Sequence, residues 1–150
     1  MDNILKKYSK SLDLGCGSTP RNPFNASSLF GVDIKVDQES FVEKCILGFD
    51  RLPYEDEYFD CVTAYDLLEH IPRVHLDKDM LTNPFIDLMN DVHRVLKTGG
   101  VFFASTPGYP SAAAFCDPTH VNFITWDTVN YFAGSEMGLI EVDPENGTAV

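Results

Sequence analysis

The sequence is short of positive charge. Its 150 residues carry 11 Lys and Arg against 23 Asp and Glu, a formal net charge of −12. No basic run offsets this, since Lys6, Lys7 and Lys10 form only a small cluster. A chain this acidic repels phosphate backbones, which disfavours nucleic acid as a partner. Long apolar runs are also missing. None approaches the ~20 residues of a membrane span, and the first residues show no signal-peptide apolar region. No membrane association and a reducing cytoplasmic setting are therefore expected. The four cysteines, Cys16, Cys45, Cys61 and Cys116, form no CxxC pair and suggest no disulfide framework. Cys45 and Cys61 lie in apolar runs and read as small buried hydrophobes. The four histidines lack metal-ligand spacing, so no metal is expected. There is no internal repeat and no low-complexity tract. What remains is an ordinary globular composition, 44% hydrophobic and 23% charged, of a size for one domain over residues 1–150.

Periodicity along the chain predicts an α/β order. "NILKKYSK" (3–10) reads as a short leading helix. "SLDLG" (11–15), "LFGVDIKV" (29–36) and "FVEKCILGF" (41–49) read as strands, and "FDCVTAYD" (59–66) as a buried strand of the parallel-sheet kind. "LLEHI" follows as a helical turn stopped by Pro72. The best helix is "NPFIDLMNDVHRVLKTGG" (83–100). Asn83 stands at its N-cap, Pro84 at its first position, Lys97 in its last turn and Gly99 at its left-handed cap. Phe85, Leu88, Met89, Val92, Val95 and Leu96 share one face. "GVFFAST" is a further strand ended by "PGYP", "TWDTVNYFAG" a helix capped by Thr125, and "GLIEV" a last strand. This alternation predicts a mainly parallel sheet, with ligands at the carboxyl ends of its strands.

Those strand ends hold a constellation. Gly15 and Gly17 bracket Cys16 after the first strand, and Asp33 follows the second. Glycine lets a ligand approach the backbone, and a carboxylate at the second strand accepts from both hydroxyls of a ribose. A dinucleotide loop would need a third glycine opening a helix, but that position is Pro20, with Pro23 beyond it. This argues against a nicotinamide-dependent oxidoreductase. Asp13 also places negative charge beside the loop, which disfavours a diphosphate. A ligand with a ribose and a cationic group but no phosphate suits these residues better, and S-adenosylmethionine has those features.

"LDLGCGS", "GVDI", "LPYEDEYFDCV", "DLLEHI" and "HRVLKTGGVFFASTPGYP" occur in that order. Together they resemble a class I S-adenosylmethionine-dependent methyltransferase of the small-molecule type, from about Ser11 to Trp126. The resemblance implies a Rossmann-like three-layer α/β/α fold and methyl transfer to a small-molecule O, N or C acceptor, with S-adenosylhomocysteine released. It places Asp13, Gly15, Cys16 and Gly17 around the methionine moiety, Asp33 on the ribose and Ile34 against the adenine. It sets Phe49 and Asp50 at the adenine edge, and Ala64, Tyr65 and Leu67 beside the methionine tail. The family's acidic residue usually lies farther from "LP" than Asp50 does. The family also closes its sheet with an antiparallel strand pair. After "GLIEV" only "DPENGTAV" remains, so an abbreviated final strand or a truncated chain is expected. An exposed edge of that kind favours pairing with a second copy.

Methyl transfer asks the protein for positioning, a dry pocket and, for some acceptors, a base. His70 from "LLEHI" and His120 from "DPTHV" are the candidate catalytic bases. Each has a plainer reading, His70 tying down its turn and His120 pinning its loop. Glu69 reads as a structural acceptor, and His75 and His93 as bystanders. Tyr65, Tyr109 and Phe115 read either as an aromatic wall around the acceptor or as ordinary packing. The acidic "YEDEYFD" reads as a solvated turn. The rival from another class is a catalytically inactive cofactor-binding module or partner subunit.

Overall fold

A computed structural model describes residues 8–36, 41–133, 142–143 and 148–149, apart from the side chains of 126, 129, 133, 142–143 and 148–149. Its sheet is built from β1 (Lys10–Leu14), β2 (Ser28–Asp33), β3 (Val42–Lys44), β4 (Phe59–Tyr65), β7 (Leu96–Pro107), β8 (Val142–Asp143) and β9 (Thr148–Ala149). Their spatial order is β3-β2-β1-β4-β7-β9-β8. The first five strands pair in parallel, and β9 runs antiparallel between β7 and β8. The order reverses between β1 and β4, and a crevice opens at the carboxyl ends of such a pair. A separate antiparallel hairpin joins β5 (His75–Asp77) to β6 (Met80–Thr82).

The central strands are the most apolar because both their faces are covered. In β4 the side chains of Phe59, Cys61, Val62 and Ala64 are fully buried, and Leu12 and Leu14 of β1 lie beside them. Helix α1 (Pro84–Val95) lays Phe85, Leu88, Val92 and Val95 into this core, while Ile86 and His93 face outward. Helices α2 (Ala113–Cys116) and α3 (Trp126–Ala133) follow, and Phe85 meets Phe132 of α3 edge to face at 5.5 Å.

Several boundaries depart from expectation. The long helix stops at Val95 because Leu96 is already extended (ψ 135°) and pairs with Phe59. Lys97 and Gly99 thus belong to β7, and Gly99 takes its positive φ of 74° inside that strand rather than at a helix cap. Asn83 is the N-cap residue, but its side chain makes no capping bond; Pro84 supplies the start signal. The third strand is only Val42–Lys44, because its partner β2 ends at Asp33, opposite Lys44. Lys10 of the expected leading helix opens β1, and residues 3–7 lie outside the described ones. Of "GLIEV", residues 138–141 also lie outside them, and Val142 belongs to β8. Among the described residues the antiparallel closing pair is β8 with the two-residue β9.

Between β1 and β2 there is no helix. Residues 15–27 form an irregular loop that folds back over β2. Gly31 makes this possible: a Cβ there would lie 2.6 Å from both Cys16 Sγ and Pro20 Cγ. The loop is closed on itself by Asn22, whose amide donates to the Ala26 carbonyl (2.9 Å) and accepts from the Ala26 N–H (2.8 Å).

Candidate functional site

The loop and the ends of β1 and β4 enclose a cleft of about 430 Å³, lined by Asp13, Gly15, Cys16, Pro20, Arg21 and Tyr65 among others. Asp13 lies at its base, 1% exposed. Its carboxylate accepts from the Thr63 hydroxyl (2.6 Å) and from the Arg21 N–H (2.7 Å). Burial pushes its pKa up, and these two donors oppose that push. Thr63 was not singled out in the sequence, yet it pairs with Asp13 in the β1–β4 register.

The glycine turn brings Asp33 into the same structure. Gly15 and Gly17 take φ of 64° and 60°, a region that other residues enter only at a cost. Gly17 N–H donates to Asp33 Oδ2 at 2.8 Å, and Lys35 N–H donates to Oδ1 at 2.8 Å. The carboxylate is thereby fixed at the end of β2 with further lone pairs on each oxygen. A Cβ on Gly15 would lie 2.9 Å from Leu67 Cδ1, whereas one on Gly17 would meet nothing within 4 Å. Gly15 is thus demanded by packing, and Gly17 leaves open space beside its backbone. Cys16 is half-buried; its thiol is pushed up to about 11 by burial and by the charges of Asp13 and Asp33. A thiol raised in this way is held away from the reactive thiolate form.

The remaining sequence-predicted residues divide. Ala64 is fully buried beneath the cleft, paired with Leu14. Tyr65 lines the cleft, and the Arg21 guanidinium lies 4.4 Å from its ring centroid. Arg21, unnoticed in the sequence, is the cation of this cleft. Ile34 is 54% exposed just beyond Asp33. Phe49 and Asp50 line a second depression of about 350 Å³, with Gly48, Asp91 and Arg94. Phe49 sets its edge against His75 at 5.0 Å, and Asp50 accepts from Ile46 N–H at 2.8 Å.

His70 and His120 come together although far apart in sequence, their ring centroids 4.9 Å apart. The turn Leu68–His70 receives the loop 117–123 through a clamp. Val121 and Asn122 N–H both donate to the Glu69 carbonyl (2.8 and 3.0 Å), and the buried Asn122 amide donates to the Leu68 carbonyl (3.1 Å). Arg73 secures the other side of Asn122 at 2.6 Å and the Phe123 carbonyl at 2.7 Å. Glu69 is 1% exposed and accepts from the Thr106 hydroxyl at 2.8 Å. Next to this cluster Phe115 stacks on Phe123 at 4.9 Å and meets Tyr109 at 6.3 Å. Tyr65 packs instead on Phe103. Leu67 joins the two regions: it touches Gly15, and its carbonyl accepts from His70 N–H.

Among the described residues no helix is long and apolar enough to cross a membrane. A family model described as "Methyltransferase domain" matches residues 12–104, more than half of the chain. Solved structures share the fold. An S-adenosylmethionine-dependent methyltransferase from Archaeoglobus fulgidus is 20% identical (TM-score 0.62), with 83% of this chain and 58% of that one covered. The YcgJ protein of Bacillus subtilis is 19% identical (TM-score 0.58), with coverages of 83% and 59%. The cyclase SpnF is 20% identical (TM-score 0.58), with 85% and 50% covered. The chain thus spans less than two thirds of the length of each of these structures. No curated protein matches it.

Proposed function

Because the chain belongs to the methyltransferase-domain family, we propose that it is an enzyme that moves a methyl group from S-adenosylmethionine to a small-molecule acceptor, releasing S-adenosylhomocysteine. The observation that carries the reading is the cleft over Asp13, Gly15 and Cys16, with Asp33 tied to the same glycine turn through the Gly17 N–H. The donors fit the cofactor. The two carboxylates suit an ammonium and a ribose diol, and the Arg21 guanidinium suits a carboxylate. No helix N-terminus follows β1 to hold a phosphate. Gly17 leaves the room that a side chain would take.

When bound, S-adenosylmethionine supplies an electrophilic methyl carbon on a sulfonium. The chain's own residues bind, orient and dry the reactants, and positioning of this kind dominates such a displacement. In this reading Asp13, Gly15, Cys16 and Gly17 hold the methionine moiety and Asp33 the ribose. Ile34, exposed beyond Asp33, covers the adenine. Phe49 and Asp50, which line a separate depression, are assigned to the outer adenine rim. Ala64, Tyr65 and Leu67 wall the methionine tail. His70 and His120 face the acceptor and receive a proton from its hydroxyl or amine. The exposed Phe115, Phe123 and Tyr109 beside them favour a flat, partly apolar molecule. The acidic surface argues against a nucleic-acid acceptor.

Isothermal titration with S-adenosylmethionine and S-adenosylhomocysteine, on wild type and Asp33→Ala, tests the proposal. Micromolar binding that collapses in the variant is expected. Absence of heat and of thermal shift with both ligands, on folded protein, overturns it.

A further inference from the structure

We propose that Glu69, His70 and His120 bind a divalent transition-metal cation of the zinc type. One potential ligand atom from each of the three lies within 4.8 Å of the others. Two imidazoles and one carboxylate are a recurring donor set for zinc, with coordination positions left open for a substrate oxygen. A tetrahedral shell with bonds of about 2.1 Å sets its ligands about 3.4 Å apart. The widest pair must therefore close by about 1.4 Å at most.

The surroundings support the assignment independently. A zinc-bound histidine usually donates its other ring N–H to a carbonyl or carboxylate, and a ligating carboxylate is itself hydrogen-bonded. Here His70 Nδ1 lies 3.2 Å from the Thr119 carbonyl and 3.2 Å from the Thr119 hydroxyl. That hydroxyl already gives its proton to Asp117 Oδ1 at 2.7 Å, so the proton between Nδ1 and Thr119 belongs to the ring. His120 Nδ1 lies 3.3 Å from the Ala114 carbonyl, which can only accept. With hydrogen on Nδ1, each ring would offer Nε2 to a cation. Glu69 Oε2 takes the Thr106 hydroxyl. The three ligands do not depend on the cation to find one another. The two N–H bonds from Val121 and Asn122 to the Glu69 carbonyl hold His120 beside His70 before any ion arrives.

The inference rests on the proposed function for its chemistry: with the cation bound, His70 and His120 serve as its ligands in place of accepting a proton themselves, and the open positions would take the acceptor oxygen. A hydroxyl held there would lose its proton to solvent more readily, because a bound cation lowers the pKa of an oxygen ligand.

The test uses the tag-free full chain, stripped with chelator and titrated with Co²⁺ and Zn²⁺ by calorimetry and absorption. One Co²⁺ per chain is expected, with visible bands of a nitrogen and oxygen site, and displacement by Zn²⁺. His70→Ala and His120→Ala should each weaken binding on the order of 100-fold or more, and Thr106→Val by roughly 10–100-fold. Since His70 is exposed, its alanine variant should fold, which far-UV circular dichroism verifies. Three outcomes overturn the inference: no uptake, uptake unchanged in both histidine variants, or a near-ultraviolet thiolate band marking a cysteine site. A parallel S-adenosylhomocysteine titration separates the two readings. Cofactor binding without metal uptake refutes the metal site alone. Histidine-dependent metal uptake without cofactor binding upholds the site and refutes the proposed function.

Discussion

Replacing Thr63 by valine removes one hydroxyl and keeps the side-chain shape. The hydroxyl is buried, and it donates to a carboxylate that is 1% exposed. A hydrogen bond to a charged group contributes about 1.5–3 kcal/mol, and its loss leaves the Arg21 N–H as the remaining donor to Asp13 among the described residues. For a domain of this size each kcal/mol moves Tm by roughly 2–4 °C, so a drop of about 3–12 °C is expected at pH 7. The sign of the pH dependence follows from burial. Asp13 has a folded pKa raised above its unfolded value, so the folded state binds the proton more tightly than the unfolded chain. The cost of its charge is fully present above the folded pKa, and it fades as pH falls through that value. Losing the Thr63 donor raises the cost further. The gap between variant and wild type should therefore be widest at neutral pH and shrink in acid, where a neutral hydrogen bond is all that is missing. Thermal melts by circular dichroism from pH 7 to pH 4 measure this. A variant within about 1 °C of wild type at pH 7, or a gap independent of pH, would refute the account of Asp13 as a buried, donor-held carboxylate.

Other positions give separate tests. Gly48→Ala places a Cβ 2.8 Å from the Pro84 carbonyl oxygen at φ 85°; a loss of about 2 kcal/mol or more is expected by urea unfolding. Gly17→Ala meets no neighbour, so it should cost only about 1–2 kcal/mol of stability while weakening S-adenosylhomocysteine binding much more in calorimetry. Asp60 is pushed up by burial, but the Lys97 ammonium and the N–H groups of Lys10 and Ser9 outweigh that and hold its pKa below the usual range. Asp60→Asn should therefore lower Tm at pH 7, and the two melting curves should converge as pH falls below about 4.

The sheet was legible because its strands carry their own signal. The unbroken apolar run of 59–65 marks a strand covered on both faces, and the stripe Phe85, Leu88, Val92, Val95 marks one helix face. The end of that helix was not legible. Lys97 and Gly99 are standard stop signals, yet pairing of Leu96 with Phe59 draws the chain into the sheet three residues earlier. Tertiary contact overrode local chemistry there. The glycine turn and Asp33 were readable because backbone conformation demands glycine and strand ends place carboxylates. Thr63 and Arg21 were not, because their roles exist only through register and loop closure. The same holds for the histidines. Along the chain they show no ligand spacing, and hydrogen bonds such as those from Val121 and Asn122 to Glu69 make neighbours of His70 and His120.

The loop over β2 has one further consequence. It is tied at Asp13 through Arg21 N–H, at Gly31 through Cys16 and Pro20, and to itself through Asn22 and Ala26. Pro20 and Pro23 stiffen what lies between. A segment so anchored has surrendered its freedom during folding, and a ligand arriving later need not impose order on it. The heat capacity change of binding should then reflect the ligand and the cleft walls alone, without the larger negative value that accompanies coupled folding. Where a helix would have offered a dipole, this chain offers a surface already set in its final shape.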